Sequence, residues 1–93
     1  MSKLIIKGHI LVPDADLAAV LEELQVHRAL TRQEEGCLVF NVTQDEENLN
    51  RLNVYEEYAD RSAFGTHQKR ARASRWWEVS ANAIREYDII TED

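Results

Sequence analysis

The chain predicts an α+β fold with the element order β-α-β-β-α-β. Three observations carry that expectation. Four segments are rich in branched and aromatic residues or alternate apolar with polar ones, as strands do. Two longer segments repeat their apolar residues at helical spacing. The link between the second and third strand candidates is short and polar, which makes those two an antiparallel hairpin.

The first strand is expected over Leu4–Val12. One face carries Leu4, Ile6, Ile10 and Val12, and the other Ile5, Lys7, His9 and Leu11. Pro13 ends it, and Asp14 or Asp16 then offers an N-cap oxygen to the next element. The stretch "DLAAVLEELQVHRALTRQEE" is the first helix, with Leu17, Val20, Leu21 and Leu24 forming its apolar stripe. Gly36 stands where a left-handed C-terminal cap would fall.

"CLVFNVTQ" and "RLNVYEEY" are the hairpin strands around the acidic loop "QDEENLN". The second helical region, "DRSAFGTHQKRARASRWWEVSANA", has Asp60 as its N-cap and a break around Ala73 or Ser74. Ile84–Thr91 is the fourth strand. This order is the ferredoxin-like arrangement, an antiparallel sheet with helices on one face. Ile5 and Leu11 on the other face call for a cover, and a second copy of the chain supplies it most simply, so a homodimer is expected.

Composition narrows the function classes. The 93 residues form one domain, taken as 1–93, with 44% hydrophobic and 30% charged residues. No apolar run is long enough to span a bilayer, and the N-terminus lacks a signal-peptide pattern. The single cysteine, Cys37, allows neither an internal disulfide nor a cysteine-based zinc site, which suggests a cytoplasmic protein. The net charge of -6 argues against nucleic acid. Charge is uneven, however: Arg61, Lys69, Arg70, Arg72 and Arg75 occur between residues 61 and 75 with no acid among them.

"TRQEEGCLVF" followed by Glu56-x-Tyr58-x-Asp60-x-x-Ala63-x-x-x-His67 resembles the antibiotic biosynthesis monooxygenase type of dimeric α+β barrel. The resemblance covers nearly the whole chain. Glu35 stands where that family commonly has Pro, and Phe40 where it has Tyr. No second histidine follows His67, which places haem degradation low. The resemblance implies a cofactor-independent monooxygenase of a quinol- or anthrone-like aromatic. An isomerase of a small phosphorylated sugar-like metabolite and a non-catalytic dimeric binding or stress-response module are the rivals.

His67 shares a helical face with Ala63 and Phe64. It reads either as a half-buried histidine that ties helix to sheet through Glu56, or as the proton acceptor for a phenol with Glu56 as its support. Tyr58, on the face of Val54 and Glu56, is a pocket-wall or core residue. Phe64 and Trp77 are further pocket candidates, one of the pair Trp76 and Trp77 being core. Gly8, if it faces the helices, either leaves space for a ligand or admits a close approach of helix to strand. Arg72 lies within "KRARASR", which reads as a solvated face or, functionally, as a run that attracts an anionic substrate or pairs with the acidic loop of a partner chain. His27 is expected to be exposed, and three scattered histidines do not make a metal site. There is no phosphate-cradling loop, nucleophile pair, flavin, nicotinamide or haem motif, so no cofactor is expected.

Overall fold

The computed structural model describes residues 2–92. Strand β1 (Lys3–Leu11) leads to helix α1 (Asp14–Arg32), the hairpin β2 (Cys37–Gln44) and β3 (Arg51–Tyr58), helix α2 (Arg61–Arg72), the single-turn helix α3 (Arg75–Val79) and strand β4 (Ile84–Glu92). The sheet order is β2-β3-β1-β4 with every neighbour antiparallel. That is the ferredoxin-like α+β fold, its second helical region divided where Ala73 and Ser74 form the boundary.

The register sets which residues meet. Ile6 lies opposite Glu56 on one side and Ile89 on the other, and Ile10 lies opposite Leu52 and Arg85. Leu4, Ile6 and Ile10 of β1, Leu52, Val54 and Tyr58 of β3, and Phe40 and Val42 of β2 are buried beneath the helices. Val20 and Leu24 of α1 and Trp76 of α3 complete the main core. A smaller cluster of Leu4, Ile6 and Tyr58 packs against Ala63 and Phe64 of α2.

Asp60 caps α2 as its type suggests, accepting from the Ala63 N–H at 2.8 Å. Four details differ from the sequence reading. Pro13, not an aspartate, is the N-cap of α1. Asp14 and Asp16 lie in its first turn, where they face the positive end of the helix dipole. Gly36 has no left-handed backbone. Its lack of a side chain serves packing, because a Cβ there would stand 2.2 Å from the Ala63 Cβ. His27 is buried, since it continues the α1 stripe through Leu24. Finally, Ile5 is already 7% exposed within one chain. The exposed large aliphatic residues of the sheet lie instead on its two edge strands, Leu38 on β2 and Ile84, Ile89 and Ile90 on β4.

Candidate active site

Between the sheet and the three helices lies a cavity of about 230 Å³. Ile6, Ile10, Phe40 and Val42 form its apolar floor, with Glu56 as the acid among them. His27, Phe64, His67 and Trp76 close it from the helix side. Arg72, Trp77, Arg85 and Tyr87 stand around it as well. Its size is below the range typical of drug-sized ligands, and fits one ring or a fused pair.

His67 reaches the cavity because α2 turns its Ala63–Phe64–His67 face onto the sheet. The ring is buried, and its Nδ1 is 2.9 Å from Glu34 Oε1. Glu34 follows the end of α1 and also accepts from Arg70 Nε, while Arg70 donates to Thr31 Oγ1 at 2.9 Å. The expected hydrogen bond from His67 to Glu56 is therefore replaced by one to Glu34. Glu56 lies 4.0 Å from the other ring nitrogen, Nε2. A carboxylate at Nδ1 favours the tautomer with the proton there, leaving Nε2 free to accept.

Glu56 accepts a hydrogen bond from the Tyr58 hydroxyl at 2.5 Å. Burial drives the Glu56 carboxyl up to about 7, with the Tyr58 hydrogen bond opposing and the Glu34 charge reinforcing that rise. Burial also lowers His67, although the Glu34 charge and hydrogen bond pull in the other direction. The site thus holds a neutral imidazole beside an acid that titrates near neutrality.

His27 stacks on Trp76 with ring centroids 4.7 Å apart and planes 8° from parallel. Burial, then the charge that His67 gains on protonation and the charge of Arg70, push it down to about 3, so it is neutral. Burial pushes the Cys37 thiol up, which disfavours a thiolate nucleophile.

Of the residues singled out from sequence, His67, Glu56, Phe64, Trp77 and Arg72 meet at the cavity. Tyr58 is fully buried behind the wall, where it donates to Glu56 and packs on the Phe64 and His67 rings without lining the cavity itself. Gly8 does not line it. A Cβ at Gly8 would stand 1.9 Å from the Glu86 carbonyl oxygen, so its bareness admits the backbone of β4 rather than a ligand. Both tryptophans line the cavity, Trp76 buried and Trp77 40% exposed. Three residues were missed. Glu34 lay inside the quoted motif without a role. His27 continued the spacing of Val20 and Leu24. Arg85 alternates with Tyr87 on β4 and so shares its helix-facing side.

The chain belongs to the antibiotic biosynthesis monooxygenase family, which it matches over residues 4–79. None of the curated proteins matches it. Solved structures share its fold. One, from Bacteroides thetaiotaomicron and described as a possible oxidoreductase, has a TM-score of 0.83 at 14% identity, with 97% of each chain covered. A Pseudomonas aeruginosa protein has a TM-score of 0.74 at 23% identity, covering 97% of this chain and 89% of that one. A structure named antibiotic biosynthesis monooxygenase has a TM-score of 0.71 at 21% identity, covering 100% of this chain and 97% of the other. No helix among the described residues is long and apolar enough to cross a membrane.

Proposed function

We propose that the protein is a cofactor-independent monooxygenase of a small quinol-like aromatic, with His67 as the base. The observation that carries this reading is the Glu34–His67 pair: one ring nitrogen is fixed by a carboxylate, and the buried ring borders an aromatic-lined cavity. Family membership supports the same reaction class.

His67 Nε2 takes the phenolic proton. The electron-rich phenolate passes one electron to dioxygen, and the resulting radical and superoxide join at a ring carbon. The hydroperoxide so formed loses water and leaves a carbonyl. One oxygen atom enters the ring and the other departs as water, with the proton returned by the imidazolium. Glu34 stabilises that imidazolium and orients it. Glu56, when protonated, donates to a ring oxygen, and the apolar floor keeps water away.

A homodimer is part of the proposal. The edge strand β4 exposes Ile84, Ile89 and Ile90, a surface that a second copy would cover. Sedimentation at micromolar concentration is expected to give a dimer, and a monomer would remove that part alone. The chemistry is tested by oxygen uptake with 1,4-naphthohydroquinone after exhaustive dialysis against a chelator. Stoichiometric uptake dependent on the protein is expected, with hydroxyquinone as the product. Uptake no faster than autoxidation across a panel of quinols would overturn the oxygenase reading.

A further inference from the structure

We propose that the ligand of this cavity is a one- or two-ring aromatic acid, whose oxyanion substituent is bound by Arg85 and Arg72 while its phenolic end meets His67. The second half of that statement rests on the oxygenase reading; the anion site does not.

Arg85 is half-buried and held in place. Its guanidinium donates to the Ser80 carbonyl at 3.2 Å and to Ser80 Oγ at 2.5 Å. Ser80 is itself 1% exposed, so this anchor is rigid. The same guanidinium sits 4.7 Å from the centroid of the Trp77 ring, and that of Arg72 sits 5.8 Å from it. Two cations therefore share one aromatic ring beside one cavity.

Neither cation has a carboxylate partner among the described residues. The contrast within the same stretch of chain is direct: Arg70 is paired with Glu34, and Arg75 lies 3.9 Å from Glu23. A half-buried guanidinium without a counter-ion is unfavourable, and an anion entering the cavity relieves it. Two of the five N–H donors of a guanidinium go to Ser80 here, which leaves donors for a planar acid group. The Tyr87 hydroxyl, against Arg85, is a further polar neighbour. The chain carries a net charge of -6, so this cationic rim is a local exception rather than a general property. The apolar floor and the stacked His27–Trp76 pair suit the flat body of the same ligand.

Calorimetric titration with three stable probes tests this. They are 2-naphthol, 6-hydroxy-2-naphthoate and 6-hydroxy-2-naphthyl phosphate. At least one acid is expected to bind about tenfold or more tightly than 2-naphthol, as a charge-assisted hydrogen bond would give. The tighter of the two acids identifies the oxyanion. The advantage should fall with salt and be lost in Arg85→Met and reduced in Arg72→Gln. Arg72 is exposed, so its variant keeps the test open if the loss of the Ser80 anchor prevents folding. Acids that bind no more tightly than 2-naphthol would overturn the inference, as would an advantage that survives Arg72→Gln and every folded Arg85 variant. Oxygen uptake separates the two proposals. Turnover of neutral quinols without acid preference sinks the anion site alone. Arginine-dependent acid binding without turnover of any quinol sinks the oxygenase reading alone.

Discussion

Strand β3 carries two tyrosine–glutamate pairs of identical chemistry on its two faces. On the helix face, Tyr58 donates to Glu56. On the open face, Tyr55 donates to Glu57. The outcomes are opposite. Glu56 is buried and its carboxyl rises to about 7. Glu57 is held below the usual carboxylate range, first by the Tyr55 hydrogen bond and then by Lys3, whose ammonium is 3.0 Å away. The hydrogen bond is the same in kind. What differs is whether water and a cation are at hand to stabilise the charge. One strand thus presents an ordinary ion pair to one side and a buried carboxyl raised to about 7 to the other.

The same division applies to histidine. His67 is buried against Glu34, whereas His9, on the open face, lies 3.7 Å from the exposed Glu86. His67→Ala is expected to lower turnover by roughly a hundredfold or more in a folded protein. His9→Ala is expected to leave the steady-state rate unchanged. Equal rates for the His67 variant and wild type would make the helix-face histidine a packing residue and remove the functional contrast.

Glu34→Gln comes next in size, with turnover reduced by about tenfold or more because an amide does not stabilise the imidazolium. Glu34 opposes the burial that lowers His67. Its loss should move the acid limb of the pH–rate profile to lower pH, a shift that a purely structural role would not produce.

The carboxylates themselves respond to pH with opposite signs. The folded Glu56 carboxyl lies above its unfolded value, so the folded state binds more protons between about 4.5 and about 7 and is penalised as pH rises through that window. Glu56→Gln removes the penalty. Its stability relative to wild type should improve by about 2–3 kcal/mol between pH 5 and pH 8. Chemical denaturation at the two pH values measures it. For Glu57 the folded value is lowered, so its contribution is present above the unfolded pKa and is lost as pH falls through the folded one. Glu57→Gln should therefore be most costly at neutral pH and nearly silent in acid. A stability difference for Glu56→Gln that is flat in pH would show that burial has not shifted that acid.

The smallest effect is expected at the Asp60 cap that positions α2. Asp60→Ala should cost about 1 kcal/mol, seen as a lower melting temperature with the pH profile of turnover unchanged.

Much of this arrangement was legible from local pattern. The alternation in β1 and β3, the polar hairpin loop, the Asp60 cap and the break at Ala73 and Ser74 each rest on residues close in sequence. The face shared by Val54, Glu56 and Tyr58 followed from the two-residue period of a strand. What stayed hidden depends on contacts between distant residues. Glu34 meets His67 and Arg70 across separations of 33 and 36 residues. Period alone does not name such a partner, and Glu56, also an acid near His67, was the natural choice. His27 looked like a polar surface residue by type, although its spacing from Val20 and Leu24 belonged to the buried stripe. At Gly8 the sequence allows both space for a ligand and a close backbone approach, because nothing local tells whether an empty position faces a cavity, a helix or a neighbouring strand.

That close approach at Gly8 bears on how the site comes into being during synthesis. Glu34, Glu56 and His67 have all been made before β4. Arg85 and Tyr87 arrive with β4, which pairs along its whole length with β1 at the other end of the chain. Contacts so far apart in sequence carry a larger loop-closure cost than the hairpin or the helices do. Gly8 precedes β4 in sequence and keeps a berth open for the Glu86 backbone until that strand is made. A growing chain therefore carries Glu34, Glu56, His67 and Arg72 before it carries Arg85, and the cavity's second guanidinium comes only with β4.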